Sequence, residues 1–526
     1  MRLYHSIAVF LIFLVSILSL KSQAQSAPAL SVGQMVKQTM KESWADIEPL
    51  GQDDQGVYYM AIPYTEVIAG PMIADADFYF FLVNDAAELV KRNPVNFMVD
   101  GRESHYEFTE QINGKVIIFT SVENKKEKKV SFYSLELDKK NLQVTNPKKV
   151  VELSFADVKR DYERATFKSQ ISRDKSKLLI SYGLVDNEGS MLKFGYVVLN
   201  SLMKETFKWS GNLDMSDGVY RFDQFRISNK GEVYLQTRYF KNEKAHDKNV
   251  SMKKTNLLST TRSMEHKKNY EHRIVKFENN GTKIIPIPNK ERFYEVFDLE
   301  VAPDGNLVLI GFYSPLEEEK MPVGAACIKV NVKTGAVQES AKEFGNSFDM
   351  PSDISIKNNG LAAGKDQYLK YRFIVSDIHF NKNGGYTLIG ERNVTQTKRV
   401  QNTFYTVNHL DDLAVVDVSA AGVVTGSHKV EKSQQAEDLQ LFNASYYYAE
   451  HNNNRYIAFA NLGKGSFRES ILVTIGPDGK QRREVMFNTK DAEVTIKPKD
   501  CELFNGKLVM YGSKNNRYVR WITRTL

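Results

Sequence analysis

Cysteine is scarce in this chain. The 526 residues contain only two, Cys327 and Cys501. Two cysteines so far apart cannot build the disulfide framework that stabilises small secreted domains. Both fall within apolar, strand-like sequence, which predicts buried thiols that pack as small hydrophobic groups. The fold must therefore rely on apolar burial and hydrogen bonds instead of covalent cross-links.

The chain also lacks the short motifs of common enzyme chemistry. It has no Gly-x-Ser-x-Gly segment, no phosphate-binding loop and no dinucleotide-binding fingerprint. His266 and His272 lie six residues apart, which is not the i, i+4 spacing of a helical zinc motif. The Asp-Gly segments 302–306 and 476–480 lack the ligand pattern of a calcium loop and predict hairpin turns. No catalytic residue can be assigned, and we expect no metal and no cofactor.

Neither positive nor negative charge dominates the sequence. Lys and Arg number 71 against 64 Asp and Glu, for a formal net charge of +7. Nucleic-acid-binding proteins usually concentrate positive charge in one patch or stripe, so we expect no nucleic-acid partner. Hydrophobic residues make up 42% of the chain, which is ample for a folded core.

Long apolar runs are absent except at the start. Arg2 precedes an uncharged, mostly apolar run at 7–20, and Ser22 and Ala24 supply small residues three positions and one position before a cleavage site. This pattern predicts a secretory signal peptide, residues 1–24, cleaved after Ala24. The alternative, a retained membrane anchor, needs roughly 20 apolar residues. We expect a secreted or periplasmic protein, with a Gram-negative bacterium as the source, and no transmembrane segment after cleavage.

A hairpin pattern recurs along the remainder. The segment 298–314, "DLEVAPDGNLVLIGFYS", contains a short strand, a tight turn and a strand rich in β-branched or aromatic residues. A second hairpin follows each copy, so the repeating unit has four strands, which we label A to D. Similar A–B hairpins lie at 222–240 and 376–393, with weaker copies at 106–124, 167–185, 441–463 and 501–513.

An eroded copy precedes these seven, at 43–50, 56–66 and 77–97. Eight units of four antiparallel strands predict an all-β fold, a β-propeller of eight blades that spans residues 43–526. If the first copy instead completes the last blade, seven blades result. A β-sandwich array or two smaller β domains is the remaining alternative.

The last unit ends on its third strand, at 518–526. A closed ring can take the missing strand from elsewhere in the chain, which removes an exposed sheet edge. The segment 28–36, "PALSVGQMV", is the candidate. We therefore expect residues 25–42 to form an N-terminal segment whose strand closes the ring.

The phrases "PDGNLVLIG" and "NGGYTLIGERN" resemble those of secreted bacterial β-propeller-like repeat proteins of uncharacterised function. The resemblance covers most of 43–526. It implies the fold and brings no catalytic residues.

Connection lengths are unequal. In a propeller the A–B and C–D turns lie on one face, here the short-turn face, and the B–C and D–A connections lie on the other, the long-connection face. The long insertions, 241–271, 345–372 and 393–411, all belong to the second class. Long loops on a rigid scaffold are where binding usually resides, although drift in unconstrained loops would give the same pattern. Candidate ligand-binding residues are Lys253, Lys254, His266, His272, Tyr368, Tyr371, Arg392 and Tyr405.

Insertion 241–271 contains eight Lys or Arg residues and four Asp or Glu residues. This composition fits a lid, a loop that faces an anion, or a solvated charged loop.

Two classes of function follow from the sequence. The first is a binding or scaffold module for a glycan, peptide or protein partner on the long-connection face. The alternative is a hydrolase or lyase with its site over the central channel. The ligand and the oligomeric state cannot be predicted from the sequence.

Overall fold

Forty strands make up most of the computed structural model. It describes residues 30–38, 44–63, 77–156, 162–186, 191–211, 217–242, 245, 250–256, 259–266, 269–278, 281–287, 291–315, 322–345, 353–356, 367–370, 372–400, 403–437, 444–461, 468–514 and 518–526. The predicted signal peptide lies outside the described residues.

In chain order the first twenty strands are β1 Leu30–Val32, β2 Val36–Lys37, β3 Trp44–Asp53, β4 Gly56–Pro63, β5 Phe78–Val83, β6 Leu89–Val95, β7 Met98–Val99, β8 Arg102–Glu103, β9 His105–Ile112, β10 Lys115–Asn124, β11 Lys129–Asp138, β12 Gln143–Ser154, β13 Tyr162–Ile171, β14 Lys177–Asp186, β15 Met191–Asn200, β16 Glu205–Gly211, β17 Val219–Ile227, β18 Val233–Phe240, β19 Val250–Asn256 and β20 Ser259–His266. The others are β21 Glu271–Glu278, β22 Gly281–Ile287, β23 Arg292–Val301, β24 Leu307–Pro315, β25 Gly324–Val330, β26 Val337–Glu343, β27 Asp353–Ile356, β28 Gln367–Lys370, β29 Arg372–Phe380, β30 Tyr386–Val400, β31 Thr403–Val418, β32 Val424–Glu437, β33 Tyr447–His451, β34 Asn454–Ala460, β35 Glu469–Ile475, β36 Gln481–Asn488, β37 Thr495–Ile496, β38 Glu502–Phe504, β39 Lys507–Lys514 and β40 Tyr518–Thr525.

A short helix, Thr489–Ala492, follows blade 7, and a 3₁₀ turn, Pro498–Asp500, lies between β37 and β38. The Asn488 side chain caps the helix by accepting hydrogen bonds from the backbone N–H groups of Lys490 and Asp491. Within the described ranges, no helix has the length and apolar character needed to cross a membrane.

The strands form eight four-stranded antiparallel blades, which confirms the predicted propeller and the count of eight. In order from strand A to strand D, blade 1 is β3–β6, blade 2 is β9–β12, blade 3 is β13–β16, blade 4 is β17, β18, β21 and β22, blade 5 is β23–β26, blade 6 is β29–β32 and blade 7 is β33–β36. In blade 8, β37 and β38 both pair with β39, which pairs with β40, and β40 pairs with β1 and β2. The seven-blade and sandwich alternatives are therefore wrong.

Each tight turn relies on residues that accept positive φ. In the turn 302–306, the Gly305 N–H donates to the Ala302 carbonyl oxygen at 2.9 Å, and Gly305 has a φ of 82°. The Asp304 carboxylate accepts from the Asn306 N–H at 2.9 Å. Asp304 thus shapes a hairpin turn, as the sequence predicted.

The core is divided among the junctions between blades. Each of the eight junctions has its own apolar cluster within the described residues. Between blades 2 and 3, the Phe132 ring centroid lies 5.4 Å from Phe119 and 4.2 Å from Phe167. Cys327 and Cys501 are buried in two of these clusters, although Cys501 precedes β38 instead of lying in a strand. Blade must pack on blade because one sheet cannot bury both of its faces.

The N-terminal strand closes the ring, as predicted. Leu30 pairs with Arg524 in the antiparallel ladder of β1 and β40. Beyond β1, the Gly33 N–H donates to the Trp521 carbonyl oxygen at 3.0 Å. The Trp521 ring in turn packs against Tyr59 and Phe81 of blade 1, at 6.2 and 5.5 Å between centroids.

The A strands converge on a central channel, since neighbouring A strands of blades 1 to 6 contact one another. Strand A of blades 2, 4 and 6 is interrupted at the same register position by one extra residue, Glu107, Asp223 or Ser376. Such β-bulges re-aim side chains and recur next to functional sites.

Candidate functional site

Three insertions meet on the long-connection face. The hairpin β19–β20 comes from blade 4, the hairpin β27–β28 precedes blade 6, and β30 and β31 of blade 6 extend beyond the ordinary blade edge. Both β20 and β28 lie against β30. We call β19, β20, β27 and β28, with residues 393–400 of β30 and 403–410 of β31, the insertion cluster. Its blade 4 hairpin reaches blade 6 and so bypasses blade 5.

A buried hydrogen-bond network lies beneath the blade 4 insertion. The His272 Nε2–H donates to the Tyr294 carbonyl oxygen at 3.1 Å, and His272 is only 3% exposed. Gln236 Nε2 approaches His272 Nδ1 at 3.5 Å and donates to the Phe297 carbonyl oxygen of blade 5. Burial lowers the pKa of His272, which keeps the ring neutral. The network joins blades 4 and 5 where the insertion begins and ends.

Two arginines hold the same end of blade 4. Arg238 forms a bidentate ion pair with the bulge residue Asp223, with Nη2–Oδ1 at 2.6 Å and Nε–Oδ2 at 3.1 Å. Arg273 Nη1 lies 2.6 Å from Asp217 Oδ2, and its guanidinium carbon lies 3.3 Å from the centre of the Tyr239 ring. Hydrogen bonding from Arg273 lowers the pKa of Asp217. The insertion therefore rises from a rigid base.

The extended part of blade 6 also has an ionic base. The Lys432 ammonium is fully buried, 2.5 Å from Glu391 Oε1, and donates to Gln434 Oε1 at 2.6 Å. Beside it, Arg392 Nη1 lies 3.0 Å from Asp412 Oδ2. Register shifts at 391–393 and 411–413 place these groups where the ordinary blade ends and its extension begins.

The structure divides the sequence-predicted candidates into two groups. His272 and Arg392 are buried, with polar partners inside the protein. The others belong to the insertions. The backbone of Lys253, Lys254, His266, Tyr368 and Tyr405 lies in the insertion cluster, although their side chains lie outside the description, and Tyr371 lies outside the described residues.

A polar tier surrounds the channel near the short-turn face, and it was not found from the sequence. Its members occupy one register position in strand A of five blades, opposite equivalent residues of strand B. They are Glu110, Arg226, Glu300, His379 and Glu502, which we call the channel tier. The sequence signal was a polar residue second or third from the end of strand A, which is recognisable only once the blades are aligned.

Hydrogen bonds and ring contacts of the channel tier join neighbouring blades. Ser169 Oγ of blade 3 donates to Glu110 Oε1 of blade 2 at 2.5 Å. Arg226 Nε of blade 4 lies 3.0 Å from Glu300 Oε1 of blade 5. The His379 ring of blade 6 lies 4.1 Å from the Tyr448 ring of blade 7. These contacts fix the side chains around the channel.

Burial shifts the pKa of four members of the channel tier. It raises the pKa of Glu110 and of Glu300, and raises that of Glu502 to about 7. It lowers the pKa of His379 to about 4. In each case desolvation penalises the charged form. Glu502 is thus a carboxyl group that exchanges its proton near neutral pH.

Arg173 spans the short-turn end of the channel. It lies in the A–B turn of blade 3, and its guanidinium carbon is 4.1 Å from the centre of the Phe380 ring in blade 6. Its Nη1 is buried and makes no hydrogen bond. The contact crosses the channel past blades 4 and 5. Among the residues that the structure describes, no group of three or more His, Cys, Asp or Glu residues is placed to hold a metal ion.

Comparison with known proteins identifies no family for this chain. No protein-family model matches the chain. No curated protein matches it either. Solved structures similar to it include the Dos1 propeller, at 7% identity over 80% of this chain and 94% of that chain with a TM-score of 0.30. The β-propeller domain of the Trilobed protease from Pyrococcus furiosus is 8% identical over 80% of this chain and 93% of that chain, with a TM-score of 0.34. The endo-arabinase from Bacteroides thetaiotaomicron is 12% identical over 63% of this chain and 95% of that chain, with a TM-score of 0.27.

Proposed function

We propose that this protein is a secreted or periplasmic binding module that recognises a glycan, peptide or protein partner through its long-connection face. One observation carries the proposal: strand β20 of blade 4 lies against β30 of blade 6. Insertions from separate blades thereby form one composite surface, which unconstrained drift of single loops does not produce.

The base of that surface supports the same proposal. His272 and Gln236 join blade 4 to blade 5, and Lys432 with Glu391 holds the extension of blade 6. A surface held on a rigid ring loses less conformational entropy when it binds a ligand. Ligand contacts then fall to the other candidates in the insertions, Lys253, Lys254, His266, Tyr368, Tyr371 and Tyr405.

The test replaces residues 250–266 with a four-residue turn and screens glycan arrays and pull-downs with both proteins. Loop-length changes cost little stability, so the variant should fold. A matched control alters the short-turn face, with Gly305 and Gly335 exchanged for Asn, which also accepts positive φ; an added Cβ would meet nothing within 4 Å at either position. We expect the deletion alone to weaken binding. Loss of binding in the turn variant with full binding in the deletion would refute the assignment of faces.

The cellular location is part of the proposal and has its own test. The n-region, apolar run and small residues before position 25 support export. Mass spectrometry of the exported protein should find Gln25 at its N-terminus. A mature chain that retains residues 11–20 would contradict both the cleavage and the location.

A hydrolase or lyase is the second candidate, because Glu502 faces the channel with a pKa of about 7. A carboxyl group of that pKa is suited to general acid or base catalysis near neutral pH. If it acts so, Glu502→Gln abolishes release of reducing or unsaturated ends from a polysaccharide panel. Glu431→Gln, on an exposed part of strand D in blade 6, is the matched control. Turnover unaffected by Glu502→Gln would remove this candidate's support.

A further inference from the structure

We propose that the short-turn end of the central channel binds the carboxylate group of a small organic acid, with Arg173 as its anchor. This end lies at the face opposite the insertion cluster, so the inference goes beyond the proposed function. It is carried by three observations: a turn that extends across the channel, a buried arginine N–H group without an acceptor, and the acidic groups around that arginine.

The first observation is the reach of one A–B turn. Residues 172–177 of blade 3, which we call the channel turn, contact two other blades. The Asp174 N–H donates to Asn229 Oδ1 of blade 4 at 3.1 Å. The Arg173 guanidinium carbon lies 4.1 Å from the centre of the Phe380 ring in blade 6. The channel turn therefore extends over the short-turn end of the channel, and a ligand reaches Arg173 from the long-connection face.

Hydrogen bonds and charge hold the channel turn in place. Ser172 Oγ donates to Asp174 Oδ1 at 2.7 Å and accepts from the Lys177 N–H at 2.9 Å. Burial raises the pKa of Glu502 in blade 8, and the positive charge of Lys175 acts against that shift, so the turn lies within electrostatic range of a third blade. A turn held in this way loses little conformational entropy when its arginine binds a ligand.

The second observation concerns Arg173 itself. Its Nη1 is shielded from solvent and makes no hydrogen bond within the protein. Buried donors almost always have an acceptor, because leaving one without a partner is costly. The guanidinium rests on the Phe380 ring, which also packs against Tyr386 at 5.1 Å between centroids. The ring attracts the cation but supplies no oxygen acceptor. A ligand oxygen would supply it, and a carboxylate is the group that a guanidinium binds best in plane.

The third observation is the acidic surroundings of Arg173, which limit the charge of the ligand. Burial raises the pKa of Glu300, and the positive charges of Arg226 and Arg173 act against that shift. Arg226 Nε already pairs with Glu300 at 3.0 Å, and Glu110 and Glu502 belong to the same channel tier. These carboxyl groups would repel a doubly charged anion such as phosphate. A carboxylate, with one negative charge, matches the single charge of Arg173.

The experiment measures binding of propionate and of propionamide by saturation-transfer NMR, with inorganic phosphate as a competitor. Propionamide has the size and shape of propionate and lacks its charge. We expect saturation transfer to propionate alone, and no displacement of propionate by an equal concentration of phosphate. Equal transfer to propionamide would overturn the anionic class of the ligand. Displacement by phosphate would overturn the selection of a singly charged carboxylate.

The variants locate the site. Arg173→Met keeps most of the side-chain length and removes the guanidinium, so it should weaken propionate binding at least about tenfold through loss of a charge-assisted hydrogen bond. Arg102→Met, in the exposed strand β8, is the matched control and should bind propionate as the wild type does. Unchanged binding in Arg173→Met, or no saturation transfer to propionate with the wild type, would overturn the proposal.

A second variant keeps the test valid if Arg173→Met does not fold. Arg173→Lys retains the positive charge and loses the planar guanidinium, so it should bind propionate more weakly than the wild type. Its melting temperature shows whether the channel turn is intact. Propionate binding by Arg173→Lys that equals wild-type binding would overturn the role assigned to the guanidinium.

Discussion

Lys432 Nζ lies 2.5 Å from Glu391 Oε1, and the lysine side chain is completely shielded from solvent. Removing one partner of such a pair leaves an uncompensated buried charge. We therefore expect Lys432→Met to lower the free energy of unfolding by about 3–5 kcal/mol, and Lys432→Met with Glu391→Leu to lower it much less. Urea unfolding provides the measurement. Equal losses in the single and double variants would show that the charge pair is not responsible.

The matched control for that experiment is Lys480→Met. Its partner, Asp478, lies 3.2 Å away in a pair whose lysine side chain is 88% exposed. Exposed pairs contribute about 0–1 kcal/mol, so this variant should unfold almost as the wild type does.

Glu502 should make stability depend on pH. Its pKa is raised from 4.5 to about 7, so between these values the folded protein holds a proton that the unfolded chain has released. This contribution is complete below pH 4.5 and is lost as pH rises through 7. As the pH rises from 4.5 to 8, the free energy of unfolding of Glu502→Gln should therefore increase by about 1–3 kcal/mol relative to that of the wild type. Melting curves across this range, with Glu431→Gln as control, test it. A difference in melting temperature between Glu502→Gln and the wild type that does not change with pH would contradict the raised pKa of Glu502.

His379 should have the opposite effect. Its pKa falls from 6.5 to about 4 on burial, so below pH 6.5 the unfolded chain takes up a proton that the folded protein does not bind. Stability from this group is complete above pH 6.5 and is lost as pH falls toward 4. His379→Gln should therefore lose less stability than wild type on acidification, by about 1–3 kcal/mol. The exposed His105→Gln is the control. If both variants follow the wild-type curve, His379 does not titrate as described.

Ring closure predicts a role for the N-terminal segment. A chain that starts at Ser43 lacks β1 and β2, and it should melt well below one that starts at Gln25. Several strand hydrogen bonds, at about 1 kcal/mol each, and their apolar contacts are lost. A synthetic peptide of residues 25–42 should restore part of the difference. Equal melting temperatures of the two chains would argue against closure.

A point substitution tests the same junction. A Cβ at Gly33 would collide with the Ala87 carbonyl oxygen, so Gly33→Ala should destabilise the full chain. At Gly426 the nearest atom would be 3.5 Å away, an ordinary contact, so Gly426→Ala is the control. Destabilisation that is equal at both positions would not be due to closure.

The sequence alone predicted the strands of the ordinary blades, the turns and the number of blades, because hairpin turns and alternating apolar residues are local signals. It predicted loops for the three insertions, where the structure has β19, β20, β27 and β28 and the extended ends of β30 and β31. Closure was also predictable, since the last repeat lacked one strand. The channel tier was not, because its members belong to different blades, and their common register position is visible only once the blades are aligned. His272 and Arg392 were considered for ligand contacts because they are polar and next to insertions. Their burial depends on Tyr294 and Asp412, which the sequence does not place beside them.

The pairing of Leu30 with Arg524 places the two ends of the folded part side by side. In three dimensions the ring has no first blade, only a blade whose strands come from two places in the chain. The blade that contains β1 and β40 is thus one of eight blades in which the ring could be opened. A circular permutant that joins these neighbouring ends and starts at the Asn113-Gly114 turn would have the same eight contacts between blades and a different order of synthesis.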